Sequence, residues 1–508
     1  MAQMTLSSNL ERMKQFDVII IGSGLGGLVC GYILSKNGYK VGIFEKNNQI
    51  GGCLQTFKRK GVSFDTGMHY IGSMEEGQIL HRFFKYLNLL EDVRLMKLDK
   101  DGFDHICMGD ETFHYAMGYE NFIEKLSERF PGERASITEY VRQIKNIAEA
   151  SPLYNLREIN APTFIETYYI KSSASSFVRE ITSDEKLRNV LAGTNSLYAG
   201  VPDKTPLYIH ALINNFYIQS AWRIVGGSDS ISNSLAGSIR SFGGEIFTNA
   251  EVKKISTSAD SAVSVELADG EVVNGKKFIS NIHPQATIEK LETPLIRRAY
   301  RDRINSLENT ISTFTLYLVF KPGTVKYLNF NIYQHNTNDV WSCQNYTTTD
   351  WPRSYLYMHQ ADSENMEYAR SAQVIAYMNY NDVQKWEDSS VGKRGAAYLS
   401  FKKEKAEVLL DNLEKKYPGI RDNVEAWYTS TPLTYKDYTA TKDGSTYGII
   451  RDCNFPTQTL VSQRTKIPNL FLTGQNINSH GILGVTIGAI ITCAEFLGIN
   501  NVIKDINE

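Results

Sequence analysis

Six cysteines in 508 residues, Cys30, Cys53, Cys107, Cys343, Cys453 and Cys493, stand far apart and form no CxxC pair. That spacing excludes a zinc ribbon and a disulfide framework, predicts no metal site, and fits a reducing, cytoplasmic compartment. Charge of either sign is not in excess. With 54 Lys and Arg against 56 Asp and Glu, the net charge is −2, so the chain has no electrostatic footprint for nucleic acid. The opening MAQMTLSSNLERMKQF has no apolar run and does not read as a signal peptide; a short frayed arm is expected there. Membrane-length apolar runs are missing too. Residues 17–34 and 481–499 come nearest, but the first belongs to the motif described next, and the second carries Thr486, Thr492 and Glu495 within a length that barely reaches the roughly 20 residues a spanning helix needs. A peripheral membrane contact has two candidate features, the basic cluster Arg297, Arg298, Arg301 and Arg303 and the amphipathic stretch His81 to Leu90. Solvated helix faces are the simpler account of both.

What is present is concentrated between Phe16 and Glu45. An apolar run, FDVIII, meets Gly22-Ser23-Gly24-Leu25-Gly26-Gly27; a helical stretch follows, and a second run, YKVGIFE, ends on Glu45. This is the order of a dinucleotide-binding βαβ unit. Gly22 makes the tight turn, Gly24 lets the backbone approach a pyrophosphate, and Gly27 lets helix and strand pack closely. The helix N-terminus presents its N–H groups to the phosphates, and Glu45 stands where an acid accepts hydrogen bonds from ribose hydroxyls. Gly27, Cys30, Gly31 and Leu34 recur at three- and four-residue spacing, which predicts a small-residue stripe facing the sheet, and Gly38 suits the helix C-cap.

The chain is long enough for two or three domains, yet no linker, repeat or low-complexity tract marks a boundary. Nucleotide-binding features restart twice. Gly226 to Gly244 reads as a capped helix ending in a glycine pair, Ile246 to Ile255 as a strand containing Val252, SVELADGEVV (264–273) as a hairpin turning at Asp269-Gly270, and KKFISNIHP (276–284) as a strand leading to a proline stop. Asn469 to Gly474 reads as a buried strand followed by a glycine-spaced helix from about Gly484. The predicted fold is therefore α/β, with a discontinuous nucleotide-binding domain (1–75, 218–300 and 455–508) and an interleaved α+β substrate domain (76–217 and 301–454).

These features, with the Gly51-Gly52 pair and the LFLTG end, resemble the FAD-dependent phytoene desaturase and amine oxidase superfamily. Gly51-Gly-Cys-Leu-Gln-Thr-Phe57, Phe64-Asp-Thr-Gly-Met-His-Tyr-Ile-Gly72, YAGVPDKTPLYIHAL (198–212), AWRIVGGS (221–228) and GSTYG (444–448) look most like its retinol saturase branch. The resemblance implies an FAD-binding Rossmann-like domain of the amine-oxidase type. In it Gly22, Gly24 and Gly27 would hold the pyrophosphate and Glu45 the adenosine ribose. Lys46, Gly52, Cys53, Gly67 and Met68 would lie along the cofactor, and the Val252 strand would meet the adenine. Gln475 stands after Gly474 where many relatives carry an acid, and still offers hydrogen bonds to the ribityl hydroxyls. Gly481, Gly484 and Val485 would bring a helix N-terminus to the flavin pyrimidine edge. Cys53 replaces the arginine common in amine oxidases and lacks a partner cysteine, so packing beside the cofactor outweighs a redox role. No second GxGxxG occurs, so NAD(P)H, if it is the reductant, would dock on the substrate side.

Reducing a conjugated C=C bond needs a hydride at one carbon and a proton at another. His69 and Tyr70 depart from the desaturase pattern and are candidate proton donors, with Tyr447 the next; alternatively, Asp65 ties down a turn and His69 hydrogen-bonds the cofactor. Tyr198, Tyr208, Phe216, Tyr217, Trp222, Tyr327, Tyr333, Trp341, Tyr346, Trp351, Tyr355 and Tyr357 are either ordinary core or the lining for a lipophilic polyene. Three functions compete: an FAD-dependent saturase of a retinoid or carotenoid, a desaturase or cis–trans isomerase using the same site, and a non-catalytic prenyl carrier, which would have no need of FAD and against which the intact glycines and Glu45 argue.

Overall fold

A computed structural model describes residues 15–158, 167–363 and 366–508. The arm expected at the N-terminus lies, through residue 14, outside them. The chain divides into two compact units, the first made of Met1–Gln55, Ile231–Leu307 and Leu460–Val502, the second of Thr56–Ser230, Glu308–Thr459 and Ile503–Glu508.

The first unit is built on strand β1 (Gln15–Ile21), helix α1 (Leu25–Lys36), β2 (Val41–Phe44), α2 (Asp229–Ser241), β3 (Glu245–Phe247), β4 (Val252–Thr257), β5 (Ala262–Leu267), β6 (Val272–Ser280), α3 (Pro284–Glu289), β7 (Leu470–Leu472) and α4 (Gly481–Leu497). The sheet runs β3-β2-β1-β6-β5-β4, with β7 also pairing β6. From β3 to β7 the pairs through β1 are parallel. Their apolar runs are buried on both faces, as a sheet covered by helices requires. Helix α1 is buried from Gly26 to Ser35, so its small residues serve more than one neighbour. A Cβ on Gly31 would come within 2.7 Å of Ile43 and 3.2 Å of Ile239, while Cys30 Sγ lies 3.7 Å from the Ala489 carbonyl of α4.

Two expectations are corrected here. The strand predicted over 246–255 is two strands: β3 pairs in parallel with β2, and β4 pairs antiparallel with β5. Asn249, at φ 53°, turns the chain between them. Pro284 opens helix α3 at its first position under a His283 N-cap, where a missing N–H costs nothing, so it starts an element as well as following one. The hairpin at Asp269-Gly270 is as expected, with Gly270 at φ 89°.

In the second unit a seven-stranded sheet runs, by residue range, 424–430, 312–320, 371–378, 354–359, 331–335, 104–108 and 111–115. One neighbouring pair in it is parallel: Asn331–His335 against Asp104–Met108, with Asn331 directly opposite Asp104. Helices Tyr119–Arg129, Arg134–Ala150 and Leu207–Gln219 contribute Phe122, Tyr140, Ile144 and Ala211 to a core shared with Tyr70, Tyr115 and Tyr333 of that side. Helix Ile79–Tyr86 buries Ile79, Leu80, Phe83, Phe84 and Tyr86, so most of the apolar residues of the amphipathic stretch 81–90 pack within the protein, with Leu90 left exposed. Arg301 of the basic cluster donates to the Ile288 carbonyl at 2.9 Å and the Leu291 carbonyl at 2.5 Å, holding two short segments of the first unit together.

Candidate functional site

In the first unit the C-terminal ends of β1 and β6 meet at the point where the connections leave the sheet in opposite directions, the place where open α/β sheets bind nucleotides. The Gly22–Gly27 turn crosses this crevice. A Cβ on Gly27 would sit 2.2 Å from the Gly22 carbonyl oxygen, and one on Gly26 would sit 3.0 Å from the Gly474 backbone. The turn is thus closed to side chains by backbone, which does not give way. Gly24 is the N-cap of α1 with no side chain capping it, leaving first-turn N–H groups for an outside acceptor. Asn281, which the motif reading did not single out, braces the arrangement: its amide donates to the Gly22 carbonyl at 3.4 Å, and it would be the first contact of a Cβ on Gly24, Gly26 or Gly474. Its signal was positional, at the end of the strand beside β1.

Glu45 is 5% exposed. Oε2 accepts from the Ser23 N–H at 2.9 Å and the Ser23 hydroxyl at 2.7 Å, and Oε1 from the Asn47 N–H at 2.9 Å. A carboxylate has about four acceptor positions, so capacity remains for ribose hydroxyls. The Ala250 N–H donates to the Glu45 carbonyl at 2.8 Å, which places the approach to β4 and its first residue, Val252, beside the acid. Lys46 follows, half-buried. Gly51 and Gly52 take φ of 107° and 57°, and a Cβ on Gly52 would be 3.1 Å from Gly24. Cys53 is exposed, whereas the other five cysteines are buried. At the far end Gly474, at φ 94°, leads to the half-buried Gln475. Helix α4 starts at Gly481 under His480, three residues before the expected start; Gly484 lies against Ser479, 2.7 Å from a Cβ placed there, and Val485 is buried one residue on. The glycine cradle, the uncapped helix start and the buried acid fit FAD.

The second unit holds the other predicted residues. Asp65 ties a turn: its Oδ1 accepts from the Ser228 N–H and hydroxyl, both at 2.7 Å, and its Oδ2 from Gln360 at 3.3 Å. Gly67 is exposed and Met68 half-buried. His69 Nδ1 is buried with no hydrogen-bond partner among the described residues, and burial, aided by the Arg223 charge, pulls the imidazole down to about 4. A neutral ring with an unmet nitrogen suits a hydrogen bond to a ligand better than acid catalysis near neutrality.

Tyr70 is central to a buried cluster that sequence reasoning did not assemble. Its hydroxyl lies 3.0 Å from Asp104 Oδ2 and 2.5 Å from the Tyr333 hydroxyl. Asn331 Nδ2 donates to Asp104 Oδ1 at 2.8 Å, and Arg223 Nη2 donates to Asn331 Oδ1 at 2.9 Å. Tyr217 packs against Tyr70 at a tilt of 31°, with ring centroids 4.4 Å apart. Burial pushes the Asp104 carboxyl up to about 7 against the hydrogen bonds from Asn331 and Tyr70 and the Arg223 charge. Burial likewise holds Tyr70 and Tyr333 well above the ordinary phenol range, the Asp104 charge adding to the effect on both. Tyr447 donates to the Ser196 carbonyl at 3.0 Å and acts electrostatically on Tyr333 and Tyr217. The three expected donors therefore share neighbours: Tyr70 and Tyr447 through Tyr333, and His69 through Arg223. Asp104 and Asn331 gave no motif; parallel pairing of two strands more than two hundred residues apart creates their contact.

A backbone-built glycine turn with a buried acid at the end of the second strand is the arrangement of a nucleotide-binding fold. The chain belongs to the flavin containing amine oxidoreductase family, whose model matches residues 25–494, and is an FAD-dependent enzyme. It is 28% identical to the all-trans-retinol 13,14-reductase of Rattus norvegicus across 95% of this chain and 86% of that protein. It is 23% identical to prolycopene isomerase 1 of an Oncidium hybrid cultivar across 87% of this chain and 76% of that one. A putrescine oxidase double mutant shares the fold, with a TM-score of 0.63 at 14% identity over 97% of this chain and 100% of that chain. No helix among the described residues is long and apolar enough to cross a membrane.

Proposed function

We propose that this chain reduces a C=C bond of a conjugated, lipophilic polyene of retinoid or carotenoid type. The observation that carries the reading is the make-up of the Tyr70 surroundings. Phenols, apolar residues, Asn331 and the buried Arg223 guanidinium pack around one buried carboxyl whose own ionisation is disfavoured, a setting that leaves no free counter-charge for an ammonium group and suits an uncharged substrate needing a proton. The likeness to a retinol reductase along nearly the whole chain supports it. When bound, FAD supplies the hydride. The chain's part is to hold the pyrophosphate at the Gly22–Gly27 turn, to fix the ribose at Glu45, to offer the unpaired His69 nitrogen to a ligand, and to keep a proton at the Tyr70 cluster. The domain roles follow: the first unit carries most of the FAD contacts and the second handles substrate. NAD(P)H is one candidate electron donor.

The second reading, an isomerase or desaturase, is favoured by the likeness to prolycopene isomerase. Anaerobic incubation of the reduced flavoprotein with a polyene panel separates them. A saturase reoxidises its flavin while the polyene absorbance shifts to the blue, as conjugation shortens. A desaturase instead acts when oxidised and shifts it to the red, and an isomerase leaves the flavin reduced. Either of the last two results overturns the first reading.

A further inference from the structure

The direction of the hydrogen bonds in the Tyr70 cluster is set by elimination. A guanidinium has donors alone, so the atom of Asn331 that faces Arg223 Nη2 is its oxygen. The Asn331 amide nitrogen therefore faces Asp104 Oδ1, and that oxygen must accept. A proton on Asp104 has one place left, Oδ2, which faces Tyr70. When Asp104 is ionised, Tyr70 donates to Oδ2 and Tyr333 donates to Tyr70. When Asp104 is protonated, Oδ2–H donates to Tyr70, Tyr70 donates to Tyr333, and the Tyr333 hydrogen is turned away from the chain. Tyr333 has no second hydrogen-bond partner among the described residues, so its hydrogen is the one that the buried cluster leaves uncommitted.

We infer that Asp104, Tyr70 and Tyr333 form a proton wire in which Tyr333 is the proton donor to the polyene and Asp104 is the positioning residue that points the wire outward. The inference rests on the reductase reading. On delivery the Tyr333 O–H bond breaks as a C–H bond forms at the carbon next to the one that received the hydride. The Tyr70 proton moves to Tyr333 and the Asp104 Oδ2 proton moves to Tyr70, leaving a carboxylate that water reprotonates. No electrons pass along the wire, since both arrive with the hydride from the reduced flavin. Tyr70, with both its hydrogen-bonding directions taken inside the protein, relays and does not donate to substrate.

The groups facing Asp104 are Arg223 from the strand Ala221–Ile224, Tyr217 from the helix Leu207–Gln219, Tyr115 from the neighbouring strand, and Tyr70 and Tyr333 themselves. The phenols stay neutral over the working range, so Asp104 is the member of the wire that titrates between its ordinary value of 3.8 and about 7. The outward-pointing state is populated below about 7 and lost above it.

The test uses the dithionite-reduced holoenzyme mixed anaerobically with a polyene it reduces, between about pH 5 and pH 9. Flavin reoxidation in the unaltered protein should slow as pH rises through about 7. Asp104→Asn should keep its fold and its FAD, since the asparagine amide donates to Tyr70 as the protonated carboxyl does, but, having no proton to pass along the wire, should react at least tenfold more slowly at low pH and with no inflection near 7. A second, substrate-free readout is the infrared carboxylic-acid band, which should titrate near neutrality in the unaltered protein, persist in Tyr333→Phe, and be absent in Asp104→Asn. Should Asp104→Asn fail to fold, Tyr333→Phe carries the test: band intact, FAD bound, reoxidation slowed roughly 10²–10⁴-fold. An unchanged inflection in Asp104→Asn, or no carboxyl band titrating near neutrality in the unaltered protein, overturns the wire even if polyenes are reduced. The expected infrared titration with no polyene reduced overturns the reductase reading instead, and the delivery step with it.

Discussion

The cofactor cradle of the first unit and the proton cluster of the second achieve order by opposite means. The cradle is made of backbone: glycines whose added Cβ would strike carbonyls or main-chain atoms, and helix N–H groups left uncapped. The cluster is made of side chains, each holding the next through one hydrogen bond at 2.5–3.0 Å. A backbone site fails when atoms are added. A side-chain site fails when a hydrogen-bonding atom is taken away at constant shape, because the partner left behind is buried and unmet.

The largest effect follows from adding atoms. Gly27→Val should give colourless protein, with flavin absorbance per chain reduced more than tenfold, because the Gly22 carbonyl cannot move out of the way of a Cβ that would sit 2.2 Å from it. Full flavin content would mean that the turn is not the pyrophosphate site. Removing one oxygen comes next. Tyr70→Phe should bind FAD normally yet slow polyene-driven reoxidation roughly 10²–10⁴-fold, equivalent to about 3–5 kcal/mol in the barrier. Flavin loss in this variant would show that the cluster supports the cofactor and not the proton.

Acid should separate the two regions by stability. His210, between the Tyr140 and Tyr198 hydroxyls at 2.9 and 2.8 Å, and His359 are both pulled down to about 3 by burial. His335, on the Gly193 carbonyl at 2.9 Å, is held at about 4 by burial. All belong to the second unit. Their folded values lie below the unfolded value, so they contribute stability that is present above about 6.5 and lost as pH falls toward about 4, on the order of 2 kcal/mol each between pH 7 and 5. Asp104 has the opposite sign: its raised value costs stability as pH rises from about 4 to about 7, and one such group does not outweigh three histidines. Thermal unfolding of the second unit should therefore weaken on acidification from pH 7 to 5; a flat or rising midpoint would contradict the buried, neutral assignments. The smallest effect is at the acid of the cradle. Ser23→Ala removes the hydroxyl donor to Glu45 Oε2 but keeps the N–H, so FAD affinity should fall roughly tenfold, about 1.5 kcal/mol, measured by flavin release on dilution.

What could be read from the residues alone divides along the same line. The Gly22–Gly27 turn, Glu45 and the hairpin at Gly270 are local devices, each carried by consecutive residues whose φ or size has one explanation. The break at Asn249 was not legible, because Ile246–Ile255 has strand character throughout and only pairing with two different partners splits it. His69 and Tyr70 were found through a segment pattern. Their partners were not, since a single aspartate at 104 and a single asparagine at 331 have no meaning until strand register sets them side by side. Asn281 lay between, at a position that topology marks but no motif names. The amphipathic stretch at 81–90 could not be assigned from its residues, because an apolar helix face looks the same whether protein or lipid covers it.

The most direct measurement of the central claim is single-turnover reoxidation of the reduced, fully flavinated Tyr333→Phe protein by a polyene, set beside Tyr447→Phe. If the first unit supplies the hydride through FAD and the second the proton through Tyr333, Tyr333→Phe should retain its full flavin spectrum and reoxidise roughly 10²–10⁴-fold more slowly than the unaltered protein, while Tyr447→Phe loses far less. Near-normal turnover in Tyr333→Phe, or an equal or larger loss in Tyr447→Phe, would contradict the account.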